Sequence, residues 1–128
     1  MAADTTQQAL DAYFAAIKAL DADAFVACFA VDAVQEDPVG APANHGHEAI
    51  RTFFDGIAAG FDQIELAPDA TFISGPSAAV KWTGRGTGKN GRGVTFEGID
   101  VVDLDDAGKI RHLRAFWDPR AMMRQLRG

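Results

Sequence analysis

The sequence predicts an α+β domain, with helices gathered first and a meandering antiparallel sheet after them. Two observations carry this. Up to about residue 60 the apolar residues return every three or four positions, and beyond residue 62 they alternate with a period of two. The runs of the second half are also divided by reversing turns rather than by helices, which excludes a βαβ repeat.

The first helix shows its stripe in Leu10, Tyr13, Phe14, Ile17 and Leu20, and Thr5 with Gln8 reads as a capping box at its start. A second, short helix begins with Asp23 as N-cap and presents Phe25, Cys28 and Phe29. A third runs from about His47 through Ile50, Phe53, Phe54 and Ile57 until Gly60 stops it. Between the last two lies Ala33 to Gly40, where Pro38 forces Asp37 into an extended conformation. Four strands follow at about 63–74, 78–87, 92–104 and 109–117. Ser74-Gly75-Pro76-Ser77, Asn90-Gly91 and Asp106-Ala107-Gly108 supply the turns.

At 128 residues, 48% apolar and 23% charged, the chain has the composition of one globular domain spanning 1–128, too hydrophobic for a disordered segment. No apolar run reaches membrane-spanning length and the start lacks the features of a signal peptide, so a cytosolic protein is expected. The one cysteine, Cys28, fits a reducing compartment and a small core residue. Residues 1–80 carry twelve acids against two bases, whereas 81–128 carry six against ten. Those bases are scattered and have no aromatic interleaving, so neither nucleic acid nor membrane is an expected partner.

Gly86 to Gly91 satisfies G-x-G-x-x-G, yet strands flank it on both sides, and a hairpin tip is the better reading. His45 and His47 lack a third ligand at a compatible position, so no metal is expected. His112 remains unassigned. Asp103, Asp105 and Asp106 surround a turn and read as a solvated edge.

Asp100 is out of place. It shares a strand face with Val94, Phe96, Gly98, Val102 and Leu104, and burying an ionised carboxylate costs several kcal/mol unless a cation accompanies it. Asp100 must therefore meet Arg111 or Arg114 from the next strand, or keep its proton at a raised pKa. Tyr13 lies on the buried stripe of the first helix, where its hydroxyl needs a partner. Asp37 is the third unusual group, an acid between Val34 and Val39 that by itself reads as the start of a turn.

Tyr13-Phe14-Ala15-Ala16, Phe29 to Val34, Glu36-Asp37-Pro38-Val39-Gly40, Gly98-Ile99-Asp100, Gly108-Lys109-Ile110 and Arg114-Ala115-Phe116-Trp117 together resemble the bacterial Δ5-3-ketosteroid isomerases of the NTF2-like (SnoaL-like) superfamily. The likeness spans nearly the whole chain. It implies a cone of three helices capping a strongly curved antiparallel sheet, an apolar pocket between them and a homodimer formed through the sheet. It also implies roles: Asp37 as general base, Tyr13 and a protonated Asp100 as donors to the ketone oxygen, and Val39, Phe54 and Trp117 as pocket lining. The implied substrate is an apolar, steroid-like ketone, with no cofactor. Other SnoaL-like enzymes, such as polyketide cyclases or epoxide hydrolases, and a noncatalytic binding module are the alternatives. With one tyrosine in the chain, and Phe29 and Phe54 where relatives can carry further ones, the resemblance supplies two donors at most.

Overall fold

The computed structural model describes residues 2–128. In chain order it contains α1 (Ala2–Ala19), α2 (Ala22–Ala27), β1 (Phe29–Glu36), β2 (Asn44–His45), α3 (Gly46–Gly60), β3 (Phe61–Ser74), β4 (Ser77–Gly88), β5 (Gly93–Leu104), β6 (Ile110–Trp117) and α4 (Pro119–Arg127). The six strands make one curved sheet in the order β2-β1-β6-β5-β4-β3, with α1, α2 and α3 packed against its inner face. Among the described residues no helix is long and apolar enough to cross a membrane.

The four long hairpin strands lie where the alternation puts them, each end within two residues of its expected position. The G-x-G-x-x-G stretch is the β4–β5 turn, closed by Gly88 N donating to Arg92 O at 2.8 Å. Along β5, Val94, Gly98, Asp100, Val102 and Leu104 are buried while Thr95, Glu97 and Ile99 are exposed.

Several features differ from the sequence reading. Helix α1 is already under way at Thr5, so the expected capping box does not start it, and Thr6 ties the helix to the sheet by donating to Gly75 O at 2.7 Å. The cap of α2 is Asp21, whose side chain accepts from Ala24 N at 3.1 Å, rather than Asp23. Cys28 caps the other end of α2 and Phe29 begins a strand, where one helical stripe was expected to hold both. Strand β1 itself, Phe-Ala-Val-Asp-Ala-Val-Gln-Glu, contains helix-forming residues, and long-range pairing with β6 overrides their propensity. That pairing is parallel, so the sheet is not antiparallel throughout. Finally, a fourth helix closes the chain, capped by Asp118, which accepts from Arg120 N and Ala121 N, with Pro119 in its first turn.

Candidate active site

A cavity opens between the helices and the concave face of the sheet, and its walls are almost wholly hydrocarbon. Its volume is about 50 Å³. Three polar side chains enter it, Tyr13 from α1, Asp37 from the segment after β1, and Asp100 from β5. Chain periodicity explains each. Tyr13 is on the stripe that α1 turns to the core, Asp37 follows the inward positions Ala33 and Gln35, and Asp100 is on the inward face of β5.

Asp100 is 1% exposed. No cation accompanies it, because Arg114 points to the other face of the sheet and pairs with Glu36 at 3.4 Å, while Arg111 is exposed. With no cation beside it, burial, reinforced by the nearby Asp37 charge, raises its pKa to about 8, which favours the protonated of the two outcomes open to this acid. The Trp82 N–H opposes that rise without closing a hydrogen bond, and both Trp82 Nε1 and Asp100 Oδ2 are buried without a partner.

Asp37 is less enclosed. Burial raises its pKa to about 6, restrained by a hydrogen bond in which Trp117 Nε1 donates to Oδ1 at 2.6 Å. At neutral pH Asp37 is therefore mostly ionised and Asp100 mostly neutral, although both face one cavity. Tyr13 is held well above its ordinary pKa, first by burial and then by the charges of Asp100 and Asp37, so it remains a neutral donor. Its ring is fixed by Phe14, Phe25 and Phe29, with centroids 5.1, 5.4 and 6.2 Å away.

Of the expected lining residues, Phe54 and Trp117 face the cavity, Phe54 stacked on Phe25 at 4.4 Å. Val39 does not line it. Its backbone N–H donates to Ala115 O at 2.8 Å, and the residue anchors the Asp37 segment to β6 instead. His47, read as the entry to α3, binds Phe29 O through its ring at 2.8 Å, and His112 binds Glu36 at 2.7 Å.

Trp82 and Met122 are among the lining residues that sequence reasoning passed over. Trp82 follows Ala78 and Val80 in the alternation of β4, a signal that was available. Met122 enters from α4, announced by Asp118-Pro119 and by the four-residue spacing of Met122 and Leu126. The glycines of the hairpin strands also have a reason. Trp82 lies opposite Gly98 and Phe96 opposite Gly84 on the paired strands. A Cβ at Gly98 would meet Trp82 Cζ2 at 2.5 Å, and one at Gly84 would meet the Phe96 ring at 2.6 Å. The two glycines leave room for the two rings, which pack edge to face at 5.6 Å and form the aromatic wall of the cavity.

The SnoaL-like domain family model matches residues 10–113. A steroid Delta-isomerase of Nocardioides simplex is 33% identical over 100 residues, covering 78% of this chain and 79% of that protein. Among solved structures, the epoxide hydrolase/cyclase-like enzyme SalBIII, associated with pyran ring formation in the polyether salinomycin, superposes with a TM-score of 0.82. It is 28% identical, over 92% of this chain and 94% of that one. The Delta 5-3-ketosteroid isomerase of a Mycobacterium species superposes with a TM-score of 0.81 at 27% identity, over 92% and 96% of the two chains.

Proposed function

The chain belongs to the SnoaL-like domain family, and on that premise we propose that it is an isomerase that moves a carbon–carbon double bond into conjugation with a ketone, converting a 3-oxo-Δ5 steroid or a similarly shaped polycycle to its Δ4 isomer. One observation carries the reading. Two acids and a phenol share an apolar cavity, and the two acids have pKa values on opposite sides of neutrality.

The chemistry needs that division. A proton beside a ketone is too weakly acidic for an aqueous carboxylate to remove, so the negative charge that collects on the ketone oxygen must be stabilised as it forms. Tyr13 and protonated Asp100 are neutral donors that meet this charge without carrying one of their own. Asp37, ionised, takes the α proton and returns it to the γ carbon, so the proton lost by one carbon is regained by the other and no cofactor is consumed. The hydrocarbon walls disfavour water and suit an apolar, rigid ring system.

The test is the conjugated-enone absorbance that develops with a 3-oxo-Δ5 steroid. Wild type should turn over, and Asp37→Asn should lose about 10³-fold or more of kcat. Equal rates would remove Asp37 as the base, and absence of turnover in wild type would remove the reaction. The likeness to SalBIII favours a second reading, in which Asp100 protonates an epoxide or alcohol oxygen and Asp37 activates the attacking group. Release of a diol or cyclic ether from an epoxide substrate, with no enone formed, would select it.

The outer face of the sheet, where exposed Ile99 lies opposite exposed Phe116, is the surface on which two copies of the chain would pair. Sedimentation of wild type as a dimer and of Phe116→Lys as a monomer would support that assembly.

A further inference from the structure

The isomerase reading uses Tyr13, Asp37 and Asp100 and leaves one polar group in the cavity without a task. Trp82 is 2% exposed and its indole N–H has no hydrogen-bond partner, although buried indoles ordinarily find one. The ring is not free to turn away. Gly98 lies beneath it, Phe96 packs edge-on at 5.6 Å and Trp117 at 6.5 Å. Across β4 and β5 it stands one inward position from Asp100, since Trp82 pairs with Gly98 and Val80 pairs with Asp100. Among the described residues that line the cavity, the other orphaned atom is Asp100 Oδ2, so a buried acceptor and a buried donor, each unpartnered, stand one inward position apart.

A protonated carboxyl has one oxygen that accepts and one that donates. Which oxygen carries the proton decides whether Asp100 can serve a ligand at all. Oδ2 is the buried, unpartnered oxygen, which makes Oδ1 the candidate to meet a ligand.

Resting on the isomerase reading of this site, we infer that Trp82 is a positioning residue: its indole N–H, the unpaired donor one inward position from Asp100 Oδ2, favours that oxygen as the acceptor and leaves the proton on Oδ1, directed at the ligand oxygen. Phe would preserve the ring over Gly98 and remove only the donor. Trp117 does the corresponding work on the other acid, donating to Asp37, so each acid of the cavity has its own tryptophan.

Two measurements decide it. In Trp82→Phe the Asp100 carboxyl, followed by NMR in chain carrying carboxyl-labelled aspartate, should titrate about one pH unit higher than in wild type, the equivalent of one neutral hydrogen bond. With a 3-oxo-Δ5 steroid, kcat should fall about tenfold while KM stays within about twofold. A folded Trp82→Phe protein with wild-type Asp100 titration and wild-type kcat overturns the inference. The second measurement needs no variant. In the wild-type chain labelled with ¹⁵N-tryptophan, the Trp82 indole signal should shift with the Asp100 titration and the Trp117 signal with that of Asp37, and a Trp82 signal indifferent to Asp100 overturns the inference as well. Both titrations are read without turnover, so failure of the steroid reaction would remove the isomerase reading and still leave the role of Trp82 decided.

Discussion

Asp37 and Trp117, eighty positions apart in the chain, meet through one hydrogen bond of 2.6 Å from the indole nitrogen to Oδ1. That bond restrains the rise that burial imposes, and with both acting the Asp37 pKa stands at about 6. Trp117→Phe removes the restraint, so Asp37, the base of the proposed reaction, should hold its proton to higher pH. The acid limb of the kcat/KM profile should move upward by about one pH unit, measured as initial isomerisation rate between pH 4 and 9. An unmoved limb would separate Asp37 from the rate.

Tyr13→Phe retains the ring contacts with Phe14, Phe25 and Phe29 and deletes a hydroxyl that enters the cavity. The loss should fall on the transition state. Steady-state kinetics should show kcat down by about 10²- to 10³-fold with little change in KM.

The two acids also make stability depend on pH. Both have pKa values raised by burial, to about 6 and about 8, so across the window from about pH 4 to 8 the folded chain holds protons that the unfolded chain has released. Their contribution is full below about pH 4, declines through the window and is gone above about pH 8. Thermal unfolding should therefore show a melting temperature that falls as the pH rises from 5 to 8. Asp100→Asn, which cannot ionise, should flatten the dependence and melt about 3–6 °C above wild type at pH 8.

The glycine opposite Trp82 gives a packing prediction. A methyl at Gly98 would also meet Phe116 O at 2.6 Å and Trp117 Cβ at 2.9 Å, and a backbone oxygen cannot swing aside. Gly98→Ala should destabilise the chain by about 1–3 kcal/mol in urea unfolding and reduce activity by displacing the aromatic wall. Gly93→Ala, in the same strand with nothing within 4 Å of the added carbon, should leave both unchanged.

Local pattern was enough to find the parts of this site but not their companions. The helical stripe put Tyr13 inside, and the alternation of β5 put Asp100 inside, because each depends only on its own element's period. The neutral state of Asp100 was undecided at that level, since Arg114 is near in strand phase and only the fold shows it facing away toward Glu36. Asp37 meets Trp117 through the parallel β1–β6 arrangement, and β1 was hidden among residues that favour helix. The pairing of Trp82 with Gly98 and of Phe96 with Gly84 is a matter of register, set by the β4–β5 turn and invisible in either strand alone.

Because the neighbour of β1 is β6, the last of the six strands in chain order, a growing polypeptide holds Asp37 without its tryptophan until every strand has been made. A chain cut short before Trp117 would retain both acids yet lack the neighbour that tunes the first of them.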